Sequence, residues 1–367
     1  MGGVTIANLE CSLADPSHLT RHNDSHGEDP YVHRASPEFV TSALRGVIDA
    51  CCLANNHVLD MGIPGLKTTL TSLNSAGIKW VGVGMDDVQA RRPVVLHKNG
   101  LRVGLLSYAD HLVEWAAARG KPGINYFDVG RFTAGDEGNP NRFNVTNITV
   151  IREVVDEIRL RVDLVVVSMH WGENFRWKPP EVFRKFARQL VAACGVDVVY
   201  GHSAHHVQGV EVVEGGLILY GCGDFLDDYD MYAEMRRRRD VDNADPEDRS
   251  SLDDNSDDNS DDNSDESSDN SSDNDGLSSS DFDYTQMRLY RSDLSFLYLL
   301  HCSPLGPDSS RCRVTRLEMV PTRIRQLVVN EATGEDRRWV MDRMKELCEE
   351  MGTAVLERDG RLIVEVR

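Results

Sequence analysis

The sequence predicts an α/β fold built on a mixed sheet or on two packed sheets. Short apolar runs alternate with segments of helical period along most of the chain. Hairpin signals at Asn99-Gly100, Gly215-Gly216 and Asp359-Gly360 interrupt that rhythm and exclude a purely parallel sheet. The 367 residues, 40% of them hydrophobic, suffice for one large domain or two ordinary ones.

Residues 4–9 read as a strand. Ser36-Pro37 reads as a helix start, with Ser36 as N-cap and Pro37 at the first helical position, and Phe39, Val40, Leu44, Val47 and Ile48 give that helix an apolar face. Residues 51–54 form a buried strand. Leu66, Leu70, Leu73 and Ala76 mark the next helix, which Gly77 ends. Residues 80–83 are a strand, and 93–97 with 101–108 flank the first hairpin turn. A helix over 151–160 precedes a continuous apolar strand, 164–169, that runs into His170. Pro179-Pro180 opens a helix that stops at Gly195, and the strand at 197–200 runs into Gly201-His202. Residues 210–213 and 217–220 make the second hairpin. Strands at 294–301 and 313–320, a helix over 336–351 and a last hairpin complete the chain.

Residues 233–282 break this pattern, and Asp-Asp-Asn-Ser recurs from Asp253. Low hydrophobicity and charge of one sign cannot offset the entropy of ordering, so 240–282 is expected to be a disordered acidic insertion. It serves either as a tolerated loop or as a calcium- or partner-binding tail. An EF-hand is excluded, because the fixed Gly and terminal Glu are absent.

The formal charge is −20, and residues 253–275 hold eleven acidic and no basic side chains, leaving −9 for the remainder. That balance disfavours nucleic acid, since a phosphate-binding face needs positive charge. The run Arg236 to Arg239 reads as a solvated face. None of the eight cysteines forms a Cys-x-x-Cys pair. No signal-peptide pattern opens the chain and no apolar run reaches membrane-spanning length, so a reducing, cytoplasmic location is expected. The glycosylation-type triplets at Asn144 and Asn147 then read as chance.

Chemistry-bearing residues gather where strands should end: Asn8-Leu9-Glu10, Asn55-Asn56-His57 with Asp60, His170-Trp171-Gly172-Glu173, Gly201-His202 through His205-His206, and Gly223-Asp224-Phe225. Such a series suggests one site at one rim of a sheet, where open α/β proteins put their chemistry. An Asn carbonyl is a hard ligand for a divalent ion, and the neighbouring His57 can hold the ion or act as general acid. The alternative makes Asp60 an N-cap for the following helix. His170 is either a ligand or a satisfied core histidine, and Glu173 could orient its ring. His202, His205 and His206 after a strand suit Zn, Mn or Fe, with His206 able to point away. Glu10 and Asp224 are ligands, ligand-orienting groups or caps. His18, His22, His26 and His33 fall in an irregular polar loop and read as surface residues, although that loop could cover the site.

These blocks resemble the CapA family of poly-γ-glutamate capsule synthesis proteins, which share the calcineurin-like metallophosphatase fold. The similarity rests on Asn-Leu-Glu at 8–10, Leu-Ala-Asn-Asn-His-x-x-Asp-x-Gly-x-x-Gly-Leu at 53–66, His-Trp-Gly-Glu at 170–173, Gly-His-x-x-His at 201–205 and Tyr-Gly-Cys-Gly-Asp-Phe at 220–225. It covers residues 4–232 and resumes over 288–367. It implies a four-layer α/β/β/α sandwich of two mixed sheets, with 1–367 as a single domain interrupted by the acidic insertion. It implies one or two divalent ions (Mn, Fe or Zn) held by Glu10, Asn56, His170, His202 and His205. His57 and Asp60 would be catalytic, and Asn55, Glu173, His206 and Asp224 would bind substrate or support the ligands.

The sequence departs from the family in that its first strand, ending in a metal-binding Gly-Asp, is missing from this chain. Gly-Asp-Phe also replaces the usual Gly-Asn-Phe. The expected function is hydrolysis of a phosphoester or γ-glutamyl-type bond in poly-γ-glutamate biosynthesis, on a small-molecule or polyanionic substrate. The alternative is a catalytically impaired scaffold that binds a polyanion or a protein.

Overall fold

The computed structural model describes residues 2–15, 32–129, 145–228, 286–306, 309 and 311–366. The expected acidic insertion at 240–282, His18, His22, His26 and the Asn144 and Asn147 side chains lie outside them. The first strand is β1 (Ile6–Asn8), followed by the short pair β2 (Ser12–Leu13) and β3 (Arg34–Ala35). The helix at Ser36-Pro37 is shorter than its apolar face suggested. α1 (Pro37–Phe39) passes into one wide turn over Val40–Leu44, and the Ser36 side chain makes no capping bond. Proline's fixed φ starts this helix unaided.

β4 (Ala50–Cys52) is wholly buried and leads through the Asn55–Asp60 loop into α2 (Gly62–Ala76). Gly77 ends α2 in left-handed backbone, φ 76°, which glycine adopts without strain. The expected strand at 80–83 is split by Gly82 into β5 (Lys79–Val81) and β6 (Val83–Gly84). α3 (Asp87–Ala90) is capped by Asp86, and β7 (Val94–Lys98) turns into β8 (Leu101–Ala109) through Asn99 and Gly100, both with positive φ. After β9 (Gly123–Ile124) come α4 (Val145–Arg159), β10 (Leu164–His170), α5 (Glu181–Cys194) and β11 (Val198–His202). The hairpin β12 (Val210–Val213) and β13 (Gly216–Leu219) follows. The remaining elements are β14 (Leu294–Pro304), β15 (Cys312–Arg325), β16 (Val328–Glu331), α6 (Gly334–Glu350), β17 (Leu356–Arg358) and β18 (Arg361–Glu365).

The architecture is mixed α/β with several sheets. A six-stranded sheet runs β12-β13-β11-β10-β8-β7, parallel from β13 to β8 and antiparallel at both edges. A three-stranded parallel sheet runs β1-β4-β5. A five-stranded antiparallel sheet runs β14-β15-β18-β17, with β16 also on β15.

Strand alternation sends successive side chains of the six-stranded sheet to opposite faces. Val165, Val167, Met169 and Val199 pack with Ile151, Ile158, Phe186 and Leu190 of α4 and α5. On the other face, Val103 and Leu105 pack with Ala50, Cys52 and Val81 of the three-stranded sheet. Val198, Leu217 and Leu219 instead join Phe296, Leu317 and Met319 of the five-stranded sheet and the buried side of α6. Cys51 and Leu53 turn away from that interface and meet Leu66, Leu70 and Leu73 of α2. All eight cysteines are free. No helix among the described residues is long and apolar enough to cross a membrane.

Candidate metal centre

Register assembles the site. β8, β10 and β11 end in one row, with Ala109 beside His170 and His170 beside His202. In the facing sheet β1 and β4 end in register at Asn8 and Cys52. The Asn8 amide donates to the Tyr200 hydroxyl at 3.3 Å, tying the two rims together. The loops after these strands therefore open into one space.

The carboxylate of Glu10 and the rings of His170 and His202 offer ligand atoms that all lie within 4.8 Å of one another. His170 Nδ1 and His202 Nδ1 stand 2.8 Å apart, and His170 Nε2 is 2.8 Å from Asn56 Oδ1. His202 Nε2 is 2.7 Å from the Ser168 hydroxyl. Glu10 Oε1 is 3.5 Å from His170 Nε2 and 3.8 Å from His205 Nε2. Asn8 Nδ2 donates to the other oxygen, Oε2, at 2.8 Å. Oε1 itself is buried with no hydrogen-bond partner among the described residues. A buried carboxylate oxygen left unmatched is costly. Set against imidazoles too distant for hydrogen bonds, it suits a cation. A mixed nitrogen and oxygen donor set of this kind suits Zn, Mn or Fe.

Protonation states follow from burial and neighbours. Burial, reinforced by neighbouring histidines, lowers His170 well below its ordinary value and His202 to about 3. Both rings are therefore neutral, the form that coordinates metal. Burial also works against charge on His205. The Asp224 carboxylate, 3.1 Å from Nδ1, together with Glu10 outweighs it and raises His205 to about 10. Desolvation raises Glu10 despite the nearby histidines.

A second group adjoins the first. His57 Nδ1 is 2.8 Å from Asp60 Oδ2, and the backbone N–H of His33 donates to the same oxygen at 2.6 Å. The rings of His33 and His57 stack with centroids 3.8 Å apart. Asp60 is therefore not the cap of α2: the N-cap is Met61, with no side-chain bond. Asn55 accepts from the His57 amide at 3.1 Å and donates to Leu9 O at 2.9 Å, which fixes the loop that carries Asn56 and His57.

Two expected residues lie elsewhere. Glu173 pairs with Arg176 at 2.6 Å, and its side chain is 67% exposed. The positive φ of Gly172 turns the chain away from His170 before Glu173 is reached. His206 bonds its neighbour's carbonyl, Val207 O, through Nδ1 at 2.9 Å and packs against Trp177 and Tyr290, away from the Glu10 cluster, and its Nε2 is buried with no hydrogen-bond partner among the described residues.

His33, read from sequence as a surface residue of a loop that could cover the site, is half-buried and lies over the His57 ring. One further residue joins the cluster without having been singled out from sequence. His111 Nδ1 lies 2.6 Å from Asp110 Oδ1, and its ring meets that of His170 edge-on at 5.1 Å. The apolar run 101–109 ending in Asp110-His111 repeats the strand-end pattern and was the available signal.

The chain has relatives among known proteins. The family model described as bacterial capsule synthesis protein PGA_cap matches residues 2–229. A probable polyglutamine synthesis accessory protein of Mycobacterium tuberculosis (strain CDC 1551 / Oshkosh) is 26% identical over 372 residues, covering 98% of this chain and 76% of its own. The capsule biosynthesis protein CapA of Bacillus anthracis is 30% identical, covering 54% of this chain and 45% of its own. The PGA biosynthesis protein CapA of Bacillus subtilis (strain 168) is 29% identical, with 48% and 41% covered.

Proposed function

This chain belongs to the bacterial capsule synthesis protein family PGA_cap, and from that premise we propose that it works in poly-γ-glutamate biosynthesis as a divalent-metal-dependent hydrolase. Its substrate carries a phosphoester or γ-glutamyl-type bond. The observation that carries this reading is the unmatched Glu10 Oε1 facing His170 and His205. The ion would be held by Glu10, His170 and His202, with Asn56 and His205 beside them. When bound, it supplies Lewis acidity, acidifying water and polarising the bond under attack.

The chain's own residues do the rest. Asp60 accepts the Nδ1–H of His57, orients the ring and stabilises its protonated form, and in that form the ring carries a second, transferable proton on Nε2. That proton goes to the departing group. Asp224, 3.1 Å from His205 Nδ1, orients that ring at the rim. The same reading makes the chain one metallophosphatase-type domain, an α/β/β/α sandwich with α2 outside the smaller sheet and α4 and α5 outside the larger. The packing of Cys51 with Leu66 and of Val165 with Phe186 supports it.

Metal analysis of the purified protein is the test. A near-stoichiometric Mn, Fe or Zn, lost in Glu10→Gln and His202→Ala with the fold intact by circular dichroism, is expected. His57→Asn should keep the metal and lower turnover of a phosphodiester or γ-glutamyl substrate about 10²- to 10⁴-fold, the range for a lost general acid. The scaffold reading has one observation in its favour: His170, His202, Asn56 and Ser168 also form a hydrogen-bonded network without an ion. A protein that binds no metal after loading, and folds unchanged as His202→Ala, belongs to that reading.

A further inference from the structure

His33 stands between two arms of the site. Its carbonyl accepts from the Ser12 amide at 2.9 Å, just beyond Glu10 in the chain. Its own N–H donates to Asp60 Oδ2 at 2.6 Å, the oxygen that also meets His57 Nδ1. The Ser12 arm is itself anchored. Leu13 N–H donates to the Thr69 hydroxyl of α2 at 2.9 Å, and β2 pairs with β3 directly after His33. The His33 backbone is therefore tied both to the arm that carries Glu10 and to the Asn55–Asp60 loop.

The His33 ring has a defined place as well. It lies over the His57 ring with centroids 3.8 Å apart and planes 6° from parallel. Faces this close are in van der Waals contact, so the His57 ring cannot tilt toward His33 without a clash. The bond from Nδ1 to Asp60 restrains the same ring from its edge. A hydrogen bond alone tolerates roughly 30° of bend, and the face contact removes much of that freedom. Burial, with His57 next, lowers His33 to about 4, so its ring is uncharged at neutral pH. An uncharged aromatic face attracts a cation laid against it, whereas a second imidazolium would repel one.

We propose that His33 is a positioning residue, whose ring holds His57 at the angle from which Nε2 reaches the departing group. This role presupposes His57 as the general acid of the proposed reaction. His33 passes no proton to the substrate itself. Phenylalanine offers a similar flat face and the same backbone N–H, so it should serve in place of His33.

Two readouts on the full chain test this role. The first needs neither metal nor substrate. In proton NMR of the metal-free protein, the carbon-bound ring protons of His57 should lie upfield, under the ring current of His33. They should move downfield in His33→Ala and stay upfield in His33→Phe.

The second readout is kcat after metal loading, on two pairs of substrates. One pair is phosphodiesters that release p-nitrophenolate or phenolate, and the other is γ-glutamyl amides that release p-nitroaniline or aniline. Protonation matters little for a stable leaving group and much for a basic one. On whichever pair the parent turns over, His33→Ala should lower kcat for the basic leaving group about 10- to 100-fold, as a misplaced catalytic group does. It should leave the stable leaving group nearly untouched and the metal content unchanged. His33→Phe should recover most of the loss.

His57→Asn separates this role from the reading beneath it. If His57→Asn shows that leaving-group dependence and His33→Ala does not, the positioning role falls and the hydrolase reading stands. If the parent turns over neither pair, or His57→Asn matches the parent, the reading falls and takes the role with it. His57 signals that do not move in His33→Ala, or losses as large in His33→Phe as in His33→Ala, overturn the proposal directly.

Discussion

Imidazoles of one cluster hold opposite charge states. His205 is raised from 6.5 to about 10, so its pairing with Asp224 stabilises the fold fully below pH 6.5 and is lost as pH rises through about 10. His202 is lowered to about 3 and stays neutral while an unfolded histidine would take up a proton. It therefore weakens the fold as pH falls from 6.5 toward 3. Urea midpoints of metal-stripped protein should decline on both sides. Asp224→Asn should remove the alkaline decline, and His202→Gln should reduce the acid one. At this scale the sequence was most informative where a side chain follows an apolar strand directly. His170 and His202 keep their strands' register, so their proximity follows from pairing alone. His33 reaches His57 from a loop, and Glu173 is turned aside by Gly172, so neither placement could be read from spacing.

Elements whose ends are set by local chemistry were legible, and those set by partners were not. Gly77 and Gly195 end their helices in left-handed backbone as expected. The Ser36 helix stops early, and Asp60 gives its carboxylate to His57 instead of a helix end. β16 escaped notice because its turn, Gln326-Leu327, has positive φ at both residues and no Asn or Gly. Left-handed backbone costs an ordinary residue about 1–2 kcal/mol. Gln326→Asn with Leu327→Gly should therefore raise stability by about 1 kcal/mol in urea denaturation. Gly201 carries the opposite expectation. A Cβ there would lie 2.1 Å from Tyr220 O, so the chain leaving β13 passes this close to the end of β11 only because the residue before His202 has no side chain. Gly201→Ala should cost about 1–3 kcal/mol as overpacking does. It should also weaken metal affinity, read by competition with a chelating dye.

For the whole molecule, alternation of strands and helices announced an α/β protein, and the hairpins announced mixed sheets. The division of strands among separate sheets was not legible, because it depends on which face of the six-stranded sheet each later segment covers. Ligand binding restricted to the folded state stabilises it by mass action, about 2.7 kcal/mol at a hundredfold excess over Kd. Loading Mn or Zn should raise the melting temperature of the parent and leave a His202→Ala, His205→Ala variant unmoved in a thermal scan. Glu10 and His205 meet at one oxygen although most of the described strands separate them in sequence. A ribosome must release that whole stretch before the pocket can exist, so no emerging fragment can capture a cation at this place. On the proposed reading an ion would therefore be taken up late, and an occupied centre would certify that Glu10 and His205 have come together.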